Sequence, residues 1–98
     1  MSGNAPIIDG TQRPLGYEQL TGIVAATSLA SIPADSVYAL IQAEGGNIRF
    51  RDDGVDPTAS VGMLLVDGAV YETTHYKNFK AIEVSGTPVV NVNYYRSF

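Results

Sequence analysis

Residues Asn47 to Gly62 read N-I-R-F-R-D-D-G-V-D-P-T-A-S-V-G, a short alternation that breaks into a polar turn and then resumes. Ile48 and Phe50 alternate with Asn47, Arg49 and Arg51, so one face is apolar and the other charged, as a half-buried antiparallel strand requires. Asp52-Asp53-Gly54 and Pro57 end the strand. The stretch sets the class: an all-β chain, with strands that bury one face each.

Outward from it, turn formers recur at intervals of roughly ten residues, the rhythm of sandwiches and barrels. The pattern predicts strands at Tyr17–Ala26, Ser36–Ala43, Asn47–Arg51, Val61–Val66, Val70–Thr73, Phe79–Val84 and Val89–Arg96. Asp67-Gly68 suits a type I′ turn and predicts a hairpin between Val61–Val66 and Val70–Thr73. Gly45-Gly46 predicts a second hairpin into Asn47–Arg51. Residues 31–45 also fit a helix with an early Pro33 and a terminal Gly45, but Val37, Ala39 and Ile41 alternate with Tyr38, Leu40 and Gln42, which favours a strand. In the last strand Val90, Val92 and Tyr94 are expected to face the core, with Asn91, Asn93 and Tyr95 facing out.

With 98 residues the chain reads as one domain with a small core. The organisation expected is an extended N-terminal arm over residues 1–16 and a sandwich over 17–98. The arm carries three Gly and two Pro with almost no periodicity, and Ile7, Ile8 and Leu15 are its aliphatic exceptions. These three are candidates for burial on a neighbouring subunit, against the plain alternative of a frayed terminus. A net charge of −4 with only six Lys and Arg argues against a nucleic-acid binder. Cysteine is absent, so disulfides and thiolate metal sites are excluded. The longest apolar run, Val61 to Val66, is too short to span a bilayer, and the N-terminus lacks a signal-peptide pattern, so no membrane role is expected.

No catalytic signature emerges, and the chain reads as a non-enzyme without a cofactor. Asp52, Asp53 and Asp56 surround Gly54 but lack the register and closing carboxylate of a calcium loop, so they read as turn residues accepting backbone N–H bonds around a left-handed Gly54. His75 stands alone, and a single histidine makes neither a metal site nor a nucleophilic triad. A glycosidase would need a marked carboxylate pair, which is missing. Arg49 and Arg51 share one strand face, where they either pair with an acid such as Glu44 or Glu83 or anchor an interface. Tyr95 suits a rim contact or a sugar platform.

The segment from Ile32 to Leu65, I-P-A-D-S-V-Y-A-L-I-Q-A-E-G-G-N-I-R-F-R-D-D-G-V-D-P-T-A-S-V-G-M-L-L, with the ending V-V-N-V-N-Y-Y-R, resembles small structural proteins of tailed bacteriophages. The likeness rests on the strands flanking Gly45-Gly46, the R-x-R-D-D-G turn, Pro57-Thr58, Gly62 and the closing N-V-N-Y-Y, and covers about Ile32 to Arg96. It implies a single antiparallel β-sandwich, jelly-roll-like, of about seven to eight strands. It also implies a virion component, most naturally a capsid decoration or cement protein on the capsid surface. Such a protein is made in the host cytoplasm. Its partners would be the major capsid protein and neighbouring copies of itself, contacted through Ile7, Ile8, Leu15, Arg49, Arg51 and Tyr95. The alternative is a carbohydrate- or receptor-binding module of a tail or fibre, with Tyr71, His75, Tyr76 and Asn78 lining the site.

Overall fold

In the computed structural model residues 12–97 are described, and they hold eight strands and no helix. These are β1 (Gln12–Leu20), β2 (Thr27–Ser28), β3 (Tyr38–Glu44), β4 (Ile48–Arg51), β5 (Met63–Leu65), β6 (Val70–Thr73), β7 (Lys80–Glu83) and β8 (Val89–Ser97). They form two four-stranded antiparallel sheets, ordered β1-β8-β3-β6 and β2-β7-β4-β5. The arrangement is sandwich-like, with one core between the inner faces.

The alternation in sequence explains that core. Ile41 and Ala43 of β3, Val90, Val92 and Tyr94 of β8, and Ile48 and Phe50 of β4 are all buried, as are Ile23, Tyr76 and Phe79 in the connections. Phe50 stacks on Phe79 with ring centroids 5.1 Å apart and meets Tyr71 at 4.6 Å. Each such aliphatic or aromatic side chain contributes about 1.5–3 kcal/mol by leaving water. The strand at residues 38–44 is formed, in agreement with the alternation there.

Two expected hairpins are absent. Asp67-Gly68 and Gly45-Gly46 are corners that carry the chain from one sheet to the other, because β5 and β4 lie in one sheet and β6 and β3 in the other. A type I′ turn needs positive φ at both central residues, yet only Gly68 has it (φ 86°). With Ala69 N donating to Val66 O at 2.9 Å, the turn has the form of a type II bend. The corners are stitched to each other. Gly68 N donates to Ala43 O (2.8 Å), Gly45 N to Asp67 Oδ1 (2.9 Å) and Asp67 N to Asn47 Oδ1 (2.9 Å). Val84 N donates to Asn47 O at 2.9 Å. Residues 84–88, between β7 and β8, make a further corner between the sheets, and Gly46 is pressed so closely on it that a Cβ there would clash with Ser85 O. Chain-neighbouring strands are paired only in β4–β5, across the loop 52–62.

The first strand also starts earlier than its sequence suggests. Gln12 to Pro14 pair with Tyr95 to Ser97, and the register shifts between Pro14 and Gly16. Pro14 and Gly16 read as strand breakers, but β1 is an edge strand, where a missing N–H and a bulge are tolerated. Leu15 therefore packs against the core and is not part of a free arm. Ile7 and Ile8 lie outside the described residues.

Candidate functional site

The β4–β5 hairpin concentrates exposed apolar side chains. Val55, Val61, Met63, Leu64 and Val66 are each about half exposed or more, with Met63 highest at 64%. They belong to the loop 52–62 and to the edge strand β5 with its flanks. The sequence pattern predicts a strand over Val61–Val66, and within the strand that forms, β5, only Leu65 is buried. The signal was present nonetheless: V-G-M-L-L-V has aliphatic residues on both phases of a strand, and only one phase can face the core.

Polar groups of the same hairpin hold its shape. Arg49, opposite Leu64 in the β4–β5 pair, donates from Nε to Ala59 O at 3.2 Å and from Nη1 to Gly62 O at 2.8 Å. Arg51 grips Asp53 with two charge-assisted hydrogen bonds, and Asp53 Oδ1 also accepts Val55 N at 3.2 Å. That contact with Arg51, aided by the Val55 N–H, lowers the Asp53 carboxyl to about 2. Thr58 Oγ1 accepts the Ser60 and Val61 N–H groups, which closes the tip of the loop. Lys80 pairs with Asp56 at 2.8 Å. The basic side chains fold the loop, and the aliphatic ones are left to face solvent.

Neither Glu44 nor Glu83 partners these arginines: Arg49 is held by carbonyls and Arg51 by Asp53. The acidic turn behaves as the sequence implies, with Asp53 accepting a backbone N–H beside a left-handed Gly54 (φ 85°). Among the described residues no three His, Cys, Asp or Glu side chains gather where they could hold a metal ion. Asp52, Asp53 and Asp56 turn to Tyr71, Arg51 and Lys80 respectively.

The four interface candidates among the described residues, Leu15, Arg49, Arg51 and Tyr95, do not form one patch. Arg49 and Arg51 lie on the outer face of the β2-β7-β4-β5 sheet, whereas Tyr95 lies on the outer face of the other. Tyr95 packs its ring 5.0 Å from Tyr38 and accepts a hydrogen bond from Asn93 at 3.0 Å. Leu15, within β1, is half-buried against the core. The alternative sugar site is also divided. His75 and Asn78 border a hollow of about 220 Å3 with Asp52, Thr74 and Lys77, but Tyr76 is buried and donates its hydroxyl to Ser36 Oγ at 2.8 Å. Tyr71 packs its ring on Phe50.

No protein-family model matches the chain, and no curated protein or solved structure matches it either.

Proposed function

We propose that this chain is a non-enzymatic structural protein of a tailed-phage virion, a decoration or cement protein that binds the outside of the capsid. The observation that carries the reading is the set of exposed aliphatic side chains on the β4–β5 hairpin, whose loop Arg49 and Arg51 hold by hydrogen bonds. Exposed apolar patches of this kind mark interaction surfaces. The strand orders β1-β8-β3-β6 and β2-β7-β4-β5 support a jelly roll, an architecture shared by capsid and lectin domains. Fold alone does not select between those uses.

The mechanism is added interface area. Covering a half-exposed Val, Leu or Met contributes about 1 kcal/mol. The hairpin as a whole thus yields a gain comparable with the low end of the roughly 4–15 kcal/mol that association costs in lost freedom. One contact alone binds weakly. A copy that bridges two capsomers, or touches a neighbouring copy as well, turns such contacts into a stable shell through symmetry and effective concentration. Ile7 and Ile8 supply a second contact in this reading.

Cryo-electron microscopy of intact virions, with difference density between particles carrying and lacking the chain, tests the placement. Density between capsomers, with the β4–β5 hairpin toward the shell, is expected. Density at the tail or fibre would reject the decoration reading.

A further inference from the structure

The outer face of the β1-β8-β3-β6 sheet carries a hollow of about 360 Å3, lined by Tyr17, Leu40, Gln42, Val70, Asn91 and Asn93. That size is at the lower end of the roughly 300–1,000 Å3 of small-molecule sites. The sheet register places its side chains in two adjacent rows that cross all four strands: Gln19, Asn91, Gln42 and Val70 in one, Tyr17, Asn93, Leu40 and Glu72 in the next. An outward sheet face of this kind needs only to be soluble, and ordinary solvated residues would serve. What distinguishes it is that its centre is locked. Asn91 Oδ1 accepts from the Tyr17 hydroxyl (2.6 Å) and from Gln19 Nε2 (2.9 Å), and Asn91 Nδ2 donates to Gln42 Oε1 (3.2 Å) and Glu44 Oε1 (3.0 Å).

All four hydrogen-bonding positions of Asn91 are thereby filled. The Tyr17 ring, 60% exposed, is tethered by its hydroxyl across the face of the sheet. Around this fixed centre the Nε2 of Gln42, the Oε1 of Gln19 and the Oδ1 of Asn93 make no hydrogen bond among the described residues. Amide donors and acceptors held at known positions, beside an aromatic ring with a free face, match a ligand that is polar, uncharged and rich in hydroxyl groups. Lys and Arg are missing from the lining, and Glu44 and Glu72 border it, so phosphate and other anions are disfavoured. Three amides make it too polar for a purely apolar guest.

We propose that this hollow binds a neutral oligosaccharide, with Tyr17 as the stacking platform and Gln42, Asn93 and Gln19 as hydrogen-bonding groups to sugar hydroxyls. The site is separate from the β4–β5 hairpin and does not rest on the decoration reading. Fixing its side chains in advance lowers the ordering cost of binding.

The test is a titration of the full chain, followed by amide NMR, with maltohexaose, cellohexaose and chitohexaose in turn. At least one of them is expected to give saturable shifts, in the millimolar range or tighter, in the side-chain amides of Gln42, Asn91 and Asn93. Tyr17→Ala and Gln42→Ala, both on the outer face, should each weaken that binding by about tenfold or more, with unchanged melting temperature. Absence of saturable shifts with all three sugars would overturn the proposal, as would shifts of undiminished affinity in both variants. Because capsid binding is read separately, a negative here leaves the decoration reading standing, and the reverse also holds.

Discussion

Tyr94 donates its hydroxyl to the Glu18 carboxylate on the core side of the β1–β8 pair, and Glu18 also accepts the N–H groups of Ala30 (3.1 Å) and Ser31 (3.0 Å). A carboxylate on the inward face of β1 would be costly unpaired, and here it fastens the long connection before β3 to the first and last strands. Glu18→Ala strips three donors of their acceptor and is expected to cost about 1–3 kcal/mol or more, read as a lowered urea midpoint.

The same pair sets an alkaline limit. Burial, reinforced by Glu18, pushes the Tyr94 hydroxyl well above the ordinary tyrosine value, and burial with Glu72 nearby does the same for Tyr38. A group whose folded pKa is raised stabilises the fold fully below the unfolded value and loses that contribution as pH rises toward the folded one. Stability should therefore be flat up to about pH 10 and fall above it. Tyr94→Phe should flatten the fall, and a melting series from neutral to strongly alkaline pH reads the difference. An identical alkaline limb in that variant would remove Tyr94 from the account.

On the acid side, Asp53 is expected to titrate near 2, and Arg51→Ala should return it toward its ordinary 3.8. Because the folded value is lowered, the Arg51 contact helps above that ordinary value and fades as pH falls toward 2. Carboxyl carbon NMR follows both titrations directly. The pair is exposed, so its loss should loosen the loop with little change in global stability.

Two glycines of the inter-sheet corners should respond very differently to alanine. At Gly46 the new Cβ would clash with Ser85 backbone, and Gly46→Ala should unfold the chain or lower its midpoint severely. At Gly68 nothing lies within 4 Å of a new Cβ and only the positive φ is penalised, at about 1 kcal/mol. Comparable midpoints for the two variants would contradict the corner geometry.

Much of the fold was legible in the sequence because burial and alternation are coupled. Phe50, Val90, Val92 and Tyr94 face inward as their phase requires, and β6 coincides with its expected span. What alternation does not encode is which sheet a strand joins. Asp67-Gly68 and Gly45-Gly46 have the composition of hairpins, and only long-range pairing with Ala43, Asn47 and Ser85 makes them corners. Pro14 concealed the start of β1 because its tolerance depends on an edge position that local sequence does not reveal. For the candidate site, Arg49 and Arg51 were visible as one strand face, but their service to the loop carbonyls and Asp53 needed the folded hairpin. Tyr76 resembled a loop aromatic until Ser36, forty positions away, supplied its hydrogen bond.

Truncating the aromatic centre tests the strand phase itself. Phe50, stacked on Phe79, and Val92 are both buried, so Phe50→Ala should cost about 3–5 kcal/mol and Val92→Ala a smaller but clear amount. Thermal midpoints that match wild type in both variants would mean that neither residue faces the core.

The central claim, that the β4–β5 hairpin binds a capsid, is tested most directly by sedimentation with capsids assembled without this protein. The comparison is between wild type and a Val61→Asp, Leu64→Asp double variant, which alters only half-exposed side chains and should melt like wild type. The account predicts that wild type co-sediments to saturation while the double variant loses at least about tenfold in affinity, as burying two charges in an apolar contact requires. Equal bound fractions for the two proteins, or no binding by wild type, would contradict it.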